Sequence, residues 1–269
     1  MLAETAYAKL NLALHVRRRR ADGYHELETL FAFVDAGDRL TAAPAPVEEL
    51  RTTGEFASQL ADLEDNIVVR ALALLSRPKP WQVELDKRLP VAAGLGGGSA
   101  DAAAVFRLVQ REHGLPADWR GHAARLGADV PACVASRTAI GRGIGTALAP
   151  GPDDLAGAPV LLVNPRVPLA TGAVFAAWDG ADRGPLPRGT AREMACSGRN
   201  DLEMAAISLC PAVADVLAGL RATRGWLARM SGSGATCFAL FEEDAARDEA
   251  ADGLAARKPE WWQLSGRLR

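Results

Sequence analysis

The residues from Pro90 to Asp101, Pro-Val-Ala-Ala-Gly-Leu-Gly-Gly-Gly-Ser-Ala-Asp, place Gly94, Gly96, Gly97 and Gly98 between an apolar run and an alanine-rich stretch. Trp81 to Leu89 reads as a strand and Ser99 to His113 as a helix. Glycine has no β-carbon, so successive backbone N–H groups can converge on an anion, and the helix start adds the positive end of its dipole. The run therefore reads as a phosphate-binding loop. It is not a Walker loop, because no Gly-Lys-Ser/Thr closes it. It is not a dinucleotide turn either: from Gly94 the third glycine would fall on Ser99, and from Gly96 on Asp101. The alternative is a flexible glycine linker, which a strand-to-helix connection disfavours.

Four other places carry side chains able to do chemistry. Residues 5 to 16 alternate, with Ala8, Leu10, Leu12, Leu14 and Val16 on one face and Tyr7, Lys9, Asn11, Ala13 and His15 on the other. This is the pattern of a half-buried strand that presents Lys9 beside Asn11. Lysine is scarce, limited to Lys9, Lys79, Lys87 and Lys258; a strand lysine is thus either a functional charge or one that snorkels to solvent. Asp129, before Val130-Pro131, either receives a proton from an attacking hydroxyl or caps a helix whose first turn tolerates proline. Tyr24-His25 follows the turn Ala21-Asp22-Gly23, and Asn66 stands at a helix start as a preferred cap. Ser99 can cap its helix, donate to phosphate or ligate a cation.

The elements that must carry these residues are of both kinds. A second β stretch runs from about Glu28 to Thr41, a helix from Ile67 to Leu75 stops near Pro78, and another spans about Asp118 to Leu126. Ala132 to Arg142 is expected to be β structure. The turn-rich Pro150-Gly151-Pro152-Asp153-Asp154 is the best boundary, dividing residues 1–150 from 151–269. Beyond it come a strand at Val160–Val163, helices near Leu202–Leu209 and Ala212–Arg221, a strand around Phe238 and a helix near Ala245–Ala256.

Composition sets outer limits. The chain has 269 residues, 49% hydrophobic and 24% charged, with a net charge of −2, which is ordinary globular composition with no basic excess for nucleic acid. No apolar run is long enough to span a membrane, and the first residues lack the pattern of a signal peptide. A cytoplasmic enzyme is expected. Cys133, Cys196, Cys210 and Cys237 have neither metal-ligand nor Cys-x-x-Cys spacing and read as reduced, mostly buried residues. The arginine run Arg17–Arg20 reads as a solvated turn.

The form Pro-x-x-x-Gly-Leu-Gly-Gly-Gly-Ser resembles the nucleotide loop of the small-molecule kinase superfamily of galactokinase, homoserine kinase and mevalonate kinase. Ala8-Lys9-Leu10-Asn11-Leu12, Arg20-Ala21-Asp22-Gly23-Tyr24-His25-Glu26-Leu27 and Leu126-Gly127-Ala128-Asp129-Val130-Pro131 are similar, in that order, to motifs of its branch acting on a cytidine-diphosphate-linked methylerythritol. Asp65 to Ala71 and Ser231-Gly232-Ser233-Gly234 extend the resemblance over nearly the whole chain.

The resemblance implies a two-domain α+β fold, with a mixed-sheet N-terminal nucleotide-binding domain and a ferredoxin-like C-terminal domain. It implies ATP and Mg²⁺ and transfer of the γ-phosphoryl group to the acceptor 2-hydroxyl, a step of non-mevalonate isoprenoid synthesis. Asp129 would activate the hydroxyl, and Lys9 would lower the Asp129 pKa and stabilise the transferring group. Asn11 would bond substrate or Asp129. Tyr24 and Phe175 would sandwich cytosine while His25 hydrogen-bonds it, with Thr171 also on the substrate. Asn66 would lie near adenine, and Pro90, Gly94, Leu95, Gly96, Gly97, Gly98, Ser99 and Ala100 would line the nucleotide, Ser99 also meeting the metal. The partners implied are these two small molecules, with no nucleic acid and no membrane, for a monomer or weak homodimer. Ala100 replaces a serine usual in that branch, and Asp101 would repel a triphosphate unless it faces away or acts through Mg²⁺.

Overall fold

The computed structural model describes residues 1–60 and 65–269. Two long strands open the chain, β1 (Leu2–Arg19) and β2 (His25–Pro44), which pair with each other. The turn between them is closed by Arg20 N–H donating to Tyr24 O at 2.8 Å. β1 forms where a strand was expected, but it is not half-buried, since residues 8 to 16 are all buried. Lys9, Asn11 and His15 are only 5%, 2% and 0% exposed. Both faces of the strand are covered, and its polar side chains persist there because each has hydrogen-bond partners.

The chain forms two compact units, each built from several segments, and residues of β1 and β2 belong to both. The first unit comprises Met1–Ala8, Ala36–Val91 and Gly96–Ser136. In it the C-terminal half of β2 pairs antiparallel with β4 (Trp81–Asp86), and β3 (Glu49–Thr53) adds in parallel to β4, giving a mixed sheet. Its helices are α1 (Ile67–Leu74), α2 (Gly97–His113), α3 (Trp119–Leu126) and α4 (Val130–Ala135). Ala100, Ala102, Ala103 and Ala104 are all buried in α2, and side chains this small let neighbouring helices pack close to its backbone.

Where β structure was expected from Ala132 to Arg142, the chain first makes α4 and only then β5 (Ala139–Gly143). Pro131 lies in the first turn of α4, where its missing N–H would have had no partner in any case. Ser136 closes the helix at φ +46, and its hydroxyl and Arg107 both donate to the Cys133 carbonyl.

The second unit comprises Lys9–Asp35, Ala92–Leu95 and Arg137–Arg269. Here the N-terminal half of β2 pairs antiparallel with β5, and β5 with β6 (Ala147–Pro150). The chain continues through β7 (Pro159–Asn164), α5 (Thr171–Ala176), α6 (Ala191–Ser197), α7 (Glu203–Leu209), α8 (Ala212–Arg221), β8 (Leu227–Met230), β9 (Cys237–Leu240), α9 (Asp244–Arg257) and β10 (Trp262–Arg267). The last four strands form an antiparallel sheet in the order β10-β7-β9-β8. This is the ferredoxin-like split β-α-β arrangement. Leu161 and Val163 pack with Val213, Val216, Leu217 and Leu220 of α8 in its core.

Candidate active site

In the first unit the glycine run becomes the start of α2. Gly96 is the N-cap at φ 62, in the left-handed region, and no side chain caps the helix. The first intrahelical bond is Ala100 N–H to Gly96 O at 2.8 Å. The amides of Gly97, Gly98 and Ser99 precede that bond, so helix geometry leaves them without intrahelical acceptors, as donors for an anion. Ala100, expected to line the nucleotide, supplies the amide of that first bond. Its amide is engaged and its side chain is 1% exposed, so the side chain faces the packed side of the helix.

Asp129 lies close to this helix start in the same unit. A β-carbon at Gly127 would stand 3.6 Å from Ser99 Oγ, so the segment leading into Asp129 passes directly over the serine. Asp129 occupies the N-cap position of α4, but its φ and ψ of −82 and −17 are helical and its side chain makes no capping hydrogen bond. A capping aspartate adopts extended backbone and accepts from the second or third helical amide. The capping reading therefore fails. At Asn66 the capping reading succeeds: its Oδ1 accepts Val68 N–H at 2.9 Å.

Asp101 turns away from the loop. Its Oδ2 accepts from Lys87 Nζ at 2.8 Å, and the same ammonium donates to Asp38 Oδ2. All three side chains are buried. Burial pushes the Asp101 carboxyl up to about 7, with Lys87 opposing and Asp38 adding to the shift. Burial works against the Lys87 charge, but the two carboxylates outweigh it and hold its pKa above the usual lysine value.

In the second unit Lys9 is held by a directed relay. Thr29 Oγ1 donates to Ala13 O at 2.7 Å and accepts from Asn11 Nδ2 at 2.8 Å; Asn11 Oδ1 is thereby turned to accept from Lys9 Nζ at 2.9 Å. The ammonium also lies 5.3 Å from the centre of the Phe31 ring. Asn11 thus orients Lys9. The Ser231–Gly234 turn packs on the start of the glycine run: Ser231 Oγ donates to Gly94 O at 2.8 Å and accepts from Asn11 N–H at 3.3 Å. Pro90 and Leu95 are buried, with Leu95 O accepting Lys9 N–H.

The same unit gathers the base-binding candidates. The rings of His25 and Phe175 lie 5.0 Å apart, and Trp178 meets His25 edge-on at 5.7 Å. Arg19 Nε donates to His25 Nε2 at 3.4 Å. Burial and then the Arg19 charge push the His25 pKa down. Tyr24 is 60% exposed, an aromatic face open to solvent. Thr171 pairs with Ser233 through their hydroxyls at 3.0 Å. Of the arginine run, Arg17, Arg18 and Arg20 pair with carboxylates.

Family models agree with this layout. That of the GHMP kinases N terminal domain matches residues 66–141, and that of the GHMP kinases C terminal matches residues 187–260. The 4-diphosphocytidyl-2-C-methyl-D-erythritol kinase of Novosphingobium aromaticivorans is 67% identical over 268 residues, spanning 100% of this chain and 93% of that protein. The chain belongs to the 4-diphosphocytidyl-2-C-methyl-D-erythritol kinase family. Its Erythrobacter litoralis member is 60% identical over the whole of both chains. A crystal structure of 4-(cytidine 5'-diphospho)-2C-methyl-D-erythritol kinase superposes with a TM-score of 0.84 at 35% identity, covering 99% of each chain. In this member of the kinase family, sequence reasoning missed Thr29, Trp178, Lys87 and Asp38. The scarcity of lysine pointed to Lys87 as much as to Lys9, but Lys87 lies at a strand end where no alternation marks a face.

Proposed function

We propose that the chain transfers the γ-phosphoryl group of ATP to the 2-hydroxyl of 4-diphosphocytidyl-2-C-methyl-D-erythritol, releasing ADP and the 2-phosphate in non-mevalonate isoprenoid synthesis. The observation that carries the reading is the meeting, in one unit, of the start of α2, whose first amides no side chain caps, with the Gly127 segment that leads into Asp129. The amides of Gly97, Gly98 and Ser99 take the ATP phosphates. The acceptor oxygen attacks the γ-phosphorus as the bond to the β,γ-bridging oxygen breaks, and Asp129 receives the hydroxyl proton. Lys9, oriented by Asn11 and Thr29, lends positive charge to the transferring group.

Mg²⁺ brought with the nucleotide neutralises phosphate charge. Among the described residues no group of three His, Cys, Asp or Glu side chains is disposed to hold a metal. Phosphate oxygens, water and the Ser99 hydroxyl suit such an ion, which keeps several waters and needs few protein ligands. Tyr24, His25 and Phe175 hold the cytosine, Thr171 also binds the substrate, and Asn66 lies near the adenine. No helix among the described residues is long and apolar enough to cross a membrane, and the reading places the enzyme in the cytoplasm as a monomer or weak homodimer.

Incubation of folded protein with this acceptor, ATP and Mg²⁺ should release ADP in step with the 2-phosphate. Turnover of homoserine or mevalonate in its place would reject the acceptor; ATP binding with no turnover of any acceptor would reject the kinase.

A further inference from the structure

Asp38, Lys87 and Asp101 come from β2, the end of β4 and the first turns of α2, and close on one another almost without solvent. Their side chains are 0%, 2% and 3% exposed. Lys87 is fixed from the strand side. Its N–H donates to Thr53 O at 2.7 Å, and Asp38 Oδ1 accepts the next two amides, Arg88 N–H at 2.6 Å and Leu89 N–H at 2.7 Å. Its remaining carboxylate partner belongs to the helix. Asp101 sits one residue beyond the first intrahelical bond of α2, so the ammonium grips the very turn whose outer amides are unpaired.

Gly97 brings the helix backbone itself against the ammonium. A β-carbon there would lie 3.1 Å from Lys87 Nζ and 3.7 Å from Asp38 Oδ2. Two carboxylates around one ammonium in dry surroundings are poor stabilisers, since desolvation offsets most of their attraction. Asp101 Oδ1 is also buried with no hydrogen-bond partner among the described residues. What such a cluster supplies is geometry: three directed contacts that allow one position of the helix start.

We propose that Lys87 is a positioning residue for the nucleotide, pinning the first turns of α2 through Asp101 so that the Gly97, Gly98 and Ser99 amides keep the spacing that ATP phosphates require. The proposal rests on reading that turn as the phosphate cradle. Asp101→Ala cuts the link to the helix and leaves Lys87 and Asp38 as a charge-balanced pair, whereas Asp101→Asn keeps an oxygen for Lys87 to grip.

Binding of a non-hydrolysable ATP analogue with Mg²⁺ is measured by calorimetry on parent and variants, with steady-state kinetics and melting temperatures alongside. Asp101→Ala should weaken analogue binding and raise KM for ATP about tenfold, the scale of one charge-assisted hydrogen bond. kcat at saturating ATP and KM for the cytidylyl acceptor should stay within about twofold, and Asp101→Asn should bind as the parent does. Parental binding by Asp101→Ala would overturn the proposal, as would equal losses in both variants or an equal rise of both KM values with a lowered melting temperature. A parent chain that binds no nucleotide would overturn the cradle reading and the proposal with it.

Discussion

Asp129 and Asn66 both stand at helix starts, yet only one is bound as a cap. Asn66 accepts Val68 N–H, whereas the Asp129 side chain makes no capping bond. Asp129→Asn should therefore leave the melting temperature and ATP binding near parental values and lower kcat by at least about 10²-fold, the scale of a positioned proton acceptor. A loss of about 1 kcal/mol of stability with turnover intact would instead mark a cap. The relay Thr29–Asn11–Lys9 makes the same point about residue type. An amide beside a lysine reads from sequence as a ligand of substrate or of Asp129, and in the fold its oxygen accepts from Lys9 in an orientation the Thr29 hydroxyl decides.

The glycine run acts as three pieces with separate duties. Gly94, at φ +76, lets the loop lie on the Ser231–Gly234 turn, and a β-carbon there would meet Ser231 O at 2.3 Å. Gly94→Ala should destabilise by more than the roughly 1–2 kcal/mol of a left-handed residue alone, measured as a fall in denaturant midpoint. An unchanged midpoint would refute the contact. Gly96 turns the chain into α2, and Gly97 makes room for Lys87. The run as a strand-to-helix connection that opens α2 was legible in the sequence because all its signals fall within twelve positions; which glycine serves which neighbour was not, because those neighbours are remote. Lys87 lies 49 positions from Asp38 and 14 from Asp101, and periodicity says which face a residue takes without saying what it meets. The misplaced β stretch from Ala132 has a local cause. Val130, Cys133 and Val134 suit a strand, but Pro131 and the alanines start a short helix that tertiary packing completes.

For the molecule as a whole, two buried groups give stability opposite slopes with pH. The folded chain holds the Asp101 proton up to about 7, well above the ordinary 3.8. Between those values the folded state binds more protons than the unfolded one, so this contribution is complete below about pH 4 and disappears as pH rises through about 7. His15 acts the other way. Its Nδ1 bonds Gly184 O and its Nε2 accepts Arg199 N–H, which requires the neutral ring. Burial, then Arg199, lower its pKa, so its contribution is present above about 6.5 and is lost on acidification. Denaturant midpoints taken from pH 4 to 8 should show Asp101→Asn gaining on the parent as pH rises, and parallel curves would refute the assignment. The distribution of amines has a consequence for covalent labelling. Lys79 and Lys258 are exposed, while Lys9 and Lys87 are buried beneath their own units. A brief pulse of an acylating reagent, read by peptide mass, should mark the first two and the N-terminus at once, and Lys9 and Lys87 only at the rate their surroundings open. Two built-in chemical clocks, one in each unit, would then time the unlatching of the charge relay and of the helix anchor separately; prompt acylation of either lysine in the folded chain would show that its shelter is not closed.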